Sequence, residues 1–256
     1  MIITIDMGNT NIFLGVHEDG TLVHTFRTLT DRTKSYDEYL LLFQDFIKSK
    51  ELKKECKGAI ISSVVPSLTV VVSKAIRDAF KTEVKVVGPG LKTGLPIRMD
   101  NPSEVGADLI SVAVGALSNY GKPCLVADLG TASKIILVDE NGNFAGGIVM
   151  PGIMISAKAL FANAAQLSEI SLEVPEKVIG KNTSDAMNSG SIYGTIAQIR
   201  GLCEMIEKEI GYSCNKILTG GYAPLVKSFL DEFKYDRNLI LEGLYSIFEK
   251  NRKGKK

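Results

Sequence analysis

Residues 2–5 (IITI) form a mostly apolar run that stops at Asp6. A polar turn, Gly8-Asn9-Thr10, separates it from a second apolar stretch, Ile12–Val16, and Asp19-Gly20 closes that stretch with a two-residue hairpin signal. The pattern predicts a strand, a tight turn, an antiparallel strand and a third strand. The same grammar returns 122 residues later, where Asp128, Gly130, Val138, Glu140 and Gly142 match Asp6, Gly8, Val16, Glu18 and Gly20 at one fixed offset. A shared hairpin pattern at constant spacing points to an internal duplication.

Helical and strand patterns follow each hairpin. Residues 35–50 carry Tyr39, Leu42, Phe43, Phe46 and Ile47 at helical spacing after a Ser/Asp cap. Residues 57–65 read as a buried parallel strand, 68–80 as a helix and 84–87 as a short strand. In the second half, 152–167 and 184–211 read as helices, 215–218 as a strand and 222–234 as a helix. Asn101-Pro102-Ser103-Glu104 reads as the start of one helix running to Asn119. Its apolar stripe is Val105, Leu109, Val112 and Ala116, and Asp108 falls roughly 60° from the stripe's centre. Strands alternating with helices place the chain in the α/β class. The expected division is an N-terminal lobe at 1–118, a C-terminal lobe at 119–250 and a disordered basic tail at 251–256.

Composition narrows the function. The 256 residues are 45% hydrophobic and 23% charged, as in an ordinary folded domain. Thirty Lys plus Arg against 29 Asp plus Glu leave a net charge of +1, so neither nucleic acid nor a membrane surface is an expected partner. No stretch reaches 18 apolar residues, and the N-terminus has no basic segment ahead of its apolar run, so a cytoplasmic location is expected. Cys56, Cys124, Cys203 and Cys214 are scattered and read as reduced thiols. With His17 and His24 as the only histidines, chemistry built on a histidine triad or a histidine-rich metal site is not expected.

An Asp-x-Gly turn between two strands suits phosphate. Glycine lets the backbone come close to a ligand, and turn amides with the side chains of Asn9, Thr10 or Thr131 can donate to phosphate oxygens. Asp6 and Asp128 can hold a hard cation or its water. Two such hairpins facing across a cleft would clamp a polyphosphate, whereas ordinary hairpins would use the same aspartates to bond turn amides. Thr219-Gly220-Gly221, after the apolar strand ending at Leu218, suits a base or sugar lying against backbone. No G-x-x-x-x-G-K-[ST] loop occurs. For Asp108, helical spacing leaves open a general base for a substrate hydroxyl and a surface carboxylate near a positive helix end.

Taken together these motifs resemble the actin-like (ribonuclease H-like) ATPase fold shared by sugar kinases, heat-shock chaperones and actin, built from two lobes of mixed sheet flanked by helices. More narrowly, the chain resembles the type III pantothenate kinases. The matching segments are 6–11, Ser62-Ser63-Val64-Val65-Pro66, 88–94, 101–108, 128–132, Gly146-Gly147, Pro151-Gly152, 180–183 and Thr219-Gly220-Gly221. The resemblance implies ATP-dependent phosphorylation of pantothenate to 4'-phosphopantothenate, the first step of coenzyme A synthesis. It implies that Asp6, Met7, Gly8, Asn9, Thr10, Asn11, Ile12 and Phe13 line the ATP phosphates, with Thr131 also on ATP. It implies that Asp128 holds a monovalent cation (K+ or NH4+), that Mg2+ accompanies the nucleotide and that Asp108 accepts the proton. Gly106, Ala107, Asp108, Leu109 and Thr183 match substrate contacts, Thr183 acting from the second subunit of a homodimer.

Four positions depart from the family pattern. Leu109 stands where the family usually has Arg, Met99 where it often has an aromatic residue, Lys134 where it usually has Thr, and Arg200 where an acidic residue is common. Compensation of the charge missing at Leu109 by Lys134 would join two of these changes. The same departures leave a second function open: a paralogue with another acceptor, or a non-catalytic nucleotide-binding regulator.

Overall fold

The computed structural model describes residues 1–163 and 171–252, and they form two compact units. The first unit comprises residues 1–96, 100–119 and 238–256, and the second residues 97–99 and 120–237.

In the first unit, β1 (Ile2–Met7), β2 (Asn11–Glu18), β3 (Thr21–Leu29), β4 (Gly58–Ser63) and β5 (Val84–Val86) form one sheet in the order β3-β2-β1-β4-β5. β1 runs antiparallel to β2 and parallel to β4. The central strands are apolar nearly throughout because both faces are covered, whereas β3 alternates exposed and half-buried positions. Helices α1 (Tyr36–Ser49) and α2 (Pro66–Phe80) pack together, and Tyr39, Phe43, Val72 and Ile76 are wholly buried with Ile3, Ile5 and Ile61. α1 begins with a capping box in which the Glu38 amide donates to Ser35 Oγ (3.4 Å) and the Ser35 amide to Glu38 Oε2 (2.8 Å). α2 has Pro66 at its first position, where no amide is missed.

The second unit repeats this plan. β6 (Cys124–Leu129), β7 (Ala132–Val138), β8 (Phe144–Pro151), β9 (Asn215–Thr219) and β10 (Lys234–Tyr235) form a sheet in the order β10-β9-β6-β7-β8. β6 is antiparallel to β7 and parallel to β9, as β1 is to β2 and β4. The duplication read from the 122-residue offset is therefore present as one strand order used twice. Both hairpin corners, Asp19-Gly20 and Gly142, take positive φ. Gly20 and Gly142 meet that requirement without steric cost.

Three sequence expectations need correction. Residues 101–119 do not form one helix. A 3-10 turn at Pro102–Glu104 ends in extended backbone at Val105, and α3 begins afresh at Ala107 and runs to Tyr120. Asn101 does not cap because its side chain is engaged otherwise: its amide donates to Glu104 Oε1 (2.7 Å) and its oxygen accepts from Ser103 Oγ (2.6 Å). Residues 222–234 do not form a helix either. They form 3-10 turns at Ala223–Leu225 and Lys227–Phe229, followed by β10. The buried residues Ala223, Val226, Leu230 and Phe233 imitate helical spacing, yet the backbone bonds span three residues: Val226 to Ala223, Phe229 to Val226 and Phe233 to Leu230. Third, α6 (Leu239–Lys250) packs on β1, β4 and β2, so residues 238 onward belong to the first unit although the sequence reading ran the second lobe to 250. Gly115 and Gly243 let α3 and α6 meet at their backbones, since a Cβ on either would strike the other helix. The predicted helix at 152–167 appears as α4 (Ile153–Asn163), and 164–167 lie outside the described residues, as do 253–256 of the expected tail.

Candidate active site

The first glycine turn is tied down by its neighbours. The Gly8 amide donates to Asn11 O (3.0 Å), Thr30 Oγ1 donates to Gly8 O (2.7 Å) and the Thr30 amide donates to Thr10 O (2.9 Å). Arg32 Nη2 donates to Asn9 Oδ1 (3.2 Å). Asn9 and Thr10 are exposed and Gly8 half-buried, so this corner presents polar groups to solvent. Met7, Ile12 and Phe13 are core residues at 5% exposure or less, so a ligand at this turn meets their backbone and not their side chains. Asp6 pairs across the sheet with Phe13 on one side and Ser62 on the other. Ser62 is wholly buried, and its Oγ has no hydrogen-bond partner among the described residues. A carboxylate beside an unsatisfied hydroxyl fits a hard cation or its water.

The second turn is equivalent in register. Asp128 pairs with Lys134 across β6 and β7 and with Thr219 on β9, so each aspartate has a hydroxyl-bearing neighbour on its parallel side. The Gly130 amide donates to Ala132 O (3.2 Å). Two glycines clamp this turn. A Cβ at Gly152 would lie 2.7 Å from Gly130 O and closer still to Thr131 O. A Cβ at Gly220, whose φ is +98°, would lie 2.5 Å from the N, C and O of Leu129. The Tyr222 amide completes the clamp by donating to Leu129 O (2.9 Å). The Thr219-Gly220-Gly221 segment therefore supports the second turn, a role sequence reasoning missed. The signal was present as a glycine after a strand that runs beside the strand carrying Asp128.

Lys134 Nζ lies 3.8 Å from Asp128 Oδ2, with the two side chains 19% and 16% exposed. At that distance an opposite pair is worth roughly 4 kcal/mol of gross attraction at an effective dielectric of about 20. A further monovalent cation on the same carboxylate would meet the ammonium at a few ångströms and suffer repulsion of comparable size. The residues at Asp128 therefore do not fit the monovalent cation that the family resemblance implies. Among the described residues no three His, Cys, Asp or Glu side chains converge on a metal position. Mg2+ held chiefly by nucleotide phosphates is compatible with such a donor set.

Asp108 occupies the first turn of α3, where a negative side chain suits the positive helix end. Gly106 just ahead of it leaves the room its carboxylate uses: a Cβ there would stand 2.5 Å from Asp108 Oδ1. The Ile110 amide donates to Gly106 O (3.1 Å) and Ser111 Oγ to Ala107 O (2.7 Å), which closes the turn. Leu109 is half-buried. Thr183 opens α5 (Thr183–Ile210), capped by Asn182, whose oxygen accepts from the Asp185 amide (2.9 Å). Thr183 is exposed and lines an open groove with Leu160, Gly180, Met187 and Gly190.

Two of the departing residues have structural partners. Arg200 donates from Nε to Glu232 (2.7 Å) and from Nη2 to Phe229 O (2.7 Å), joining α5 to the 3-10 segment. Met99 is 39% exposed, and its Sδ is the nearest atom to the space a Cβ on Gly146 would fill. Burial pushes the Cys124 and Cys203 thiols up to about 12.

Comparison with known proteins places this geometry. The family model described as type III pantothenate kinase matches residues 2–205. A type III pantothenate kinase of Exiguobacterium sp. is 43% identical over 255 residues, 99% of this chain and all of the relative. A Baf family protein of Campylobacter jejuni, described as a putative transcriptional activator, superposes with a TM-score of 0.61 at 20% identity, covering 97% of this chain and 98% of the other. A putative 2-dehydro-3-deoxygalactonokinase of Sinorhizobium meliloti gives 0.61 at 14% identity over 100% and 98%. MreB5 of Spiroplasma citri, bound to ADP, gives 0.55 at 11% over 98% and 96%. The three structures establish the actin-like fold, and the sequence matches establish that this chain belongs to the type III pantothenate kinase family.

Proposed function

We propose that this protein transfers the terminal phosphate of ATP to the 4'-hydroxyl of pantothenate, giving 4'-phosphopantothenate for coenzyme A synthesis. The observation that carries the reading is 43% identity along essentially the whole chain to a type III pantothenate kinase. The local geometry supports it: two turns equivalent in register, each closed by a bond from its glycine amide, stand at the ends of the strands that carry Asp6 and Asp128.

The chemistry needs little from the protein beyond position and charge. Phosphoryl transfer passes through a loose transition state, so alignment and neutralisation of phosphate charge dominate. Backbone groups of residues 6–13, with the side chains of Asn9 and Thr10, contact the phosphates at the first turn, and Thr131 contacts ATP at the second. Asp6 and Ser62 offer oxygens to Mg2+ or its water, and Mg2+ supplies charge neutralisation when it arrives with ATP. Asp108 orients the pantothenate hydroxyl and accepts its proton as the new P–O bond forms. Gly106, Ala107 and Leu109 border the acceptor. Leu109 offers no charge to the pantothenate carboxylate, so affinity for that end rests on other groups. Two chains form a homodimer, with Thr183 of one protomer reaching the acceptor of its partner.

A coupled assay of ADP release tests the reading. Turnover that requires both ATP and pantothenate is expected; tight nucleotide binding with no pantothenate-dependent ADP would overturn it.

A further inference from the structure

We propose that the Lys134 ammonium takes the place of the activating monovalent cation, so that this kinase needs neither potassium nor ammonium in solution. The inference rests on the kinase reading above.

Register brings the charge to its position. Lys134 is the direct cross-strand partner of Asp128 in the antiparallel pair β6–β7, so the two side chains leave the same face of the sheet. Nζ stands 3.8 Å from Oδ2, with both side chains four-fifths buried. The equivalent position in the first hairpin is Phe13, the cross-strand partner of Asp6 and a core residue. The duplicated framework thus carries a cation at this register position in the second copy only. A tethered ammonium is present at every turnover, whereas a dissolved ion must be recruited and desolvated each time. Two cations on one carboxylate repel, so Lys134 both supplies the charge and excludes its competitor. The turn it serves is held by Gly152 and Gly220 against backbone, which keeps Asp128 and Thr131 in a constant relation. Lys134 is a positioning residue: it acts through Asp128 and the turn, and forms no bond to the transferred phosphate.

The position is also consistent with the sequence departure. The threonine that the family resemblance implies here would be a shorter side chain carrying an oxygen. Lysine fills the room and brings the charge.

The test is monovalent-cation dependence in wild type, Lys134→Thr and Lys134→Met, in choline buffer with and without 100 mM KCl or NH4Cl. ATP–pantothenate turnover is read first, and binding of Mg2+ with a non-hydrolysable ATP analogue is read by calorimetry in the same buffers. Wild type is expected to change less than twofold on adding potassium. Lys134→Thr should lose at least tenfold in kcat/KM without potassium and recover most of it with potassium or ammonium. Lys134→Met, which fills the space without charge, should lose as much and recover little. Wild-type stimulation of tenfold or more by potassium would overturn the proposal, and so would a Lys134→Thr enzyme indifferent to potassium. If wild type shows no turnover in any buffer, the kinase reading has failed, and analogue affinity alone decides between a potassium-dependent and a potassium-independent site.

Discussion

Gly220 is the position where backbone geometry and catalysis are most directly joined. An alanine there meets two penalties. Its φ of +98° lies where L side chains are strained, at a cost of order 1–3 kcal/mol. Its Cβ would also lie 2.5 Å from three backbone atoms of Leu129, against 3.4 Å or more in ordinary contact. No side chain can swing aside, because the obstruction is backbone. The turn holding Gly130 and Thr131 must shift by the better part of an ångström, and such overpacking costs typically about 1–3 kcal/mol. Gly220→Ala should therefore destabilise by roughly 2–6 kcal/mol, less if the turn moves freely. A misplacement near 1 Å at a phosphate-binding turn can cost on the order of 10²-fold in rate. Denaturant unfolding and steady-state kinetics read the two effects separately. Gly201→Ala is the control: Gly201 lies within α5 with nothing near its missing Cβ, and alanine there should stabilise by about 0.5–1 kcal/mol. A Gly220→Ala protein as stable as wild type, with kcat/KM for ATP within twofold, would refute the claim that this glycine supports the second turn.

Other outcomes follow from the same geometry. His17 is buried, its ring stacked on Tyr245 at 4.6 Å and its Nδ1 without a partner among the described residues, and burial lowers its pKa from 6.5 to about 4. The unfolded chain therefore binds more protons between pH 6.5 and 4, so this contribution is intact above pH 6.5 and falls by about 3 kcal/mol on acidification to pH 4. His17→Phe should flatten the pH dependence of the unfolding midpoint across that window, and an unchanged slope would exclude His17 as its source. Removing the half-exposed Arg200 should cost only about 1 kcal/mol of stability and leave KM for both substrates unchanged, because its partners Glu232 and Phe229 O are structural; a large rise in KM would return Arg200 to the substrate side.

The sequence made the duplicated architecture legible because each hairpin carries its own local signals, a glycine turn and an Asp-Gly or Asn-Gly corner at constant spacing. The capped helix at 35–50 and the buried strand at 57–65 were legible for the same reason: local chemistry and burial agree there. Errors arose where they diverge. Ala223, Val226, Leu230 and Phe233 bury at helical spacing, yet a 3-10 backbone produces nearly the same spacing, and periodicity alone cannot separate the two. Asn101 has the residue type of a cap but spends its side chain on Ser103 and Glu104. α6 was overlooked although Leu239, Leu241, Leu244, Ile247 and Phe248 form an apolar face; its attachment to the first unit depends on Gly115 and Gly243, a contact between residues more than a hundred positions apart. At the candidate site, sequence identified the aspartates and glycines by type. It did not reveal that Lys134 lies beside Asp128, because cross-strand register becomes visible only once the length of the turn is known.

The central claim is that Asp108 prepares a pantothenate hydroxyl to accept phosphate. It is tested most directly by following ATP, pantothenate and product by phosphorus and proton NMR with wild type and Asp108→Asn, while nucleotide affinity is measured in parallel. Wild type should give one 4'-phosphopantothenate per ADP. Asp108→Asn should bind nucleotide normally and turn over about 10²–10⁴-fold more slowly. An Asp108→Asn enzyme forming product near the wild-type rate, or wild-type ADP release without phosphorylated pantothenate, would contradict the account.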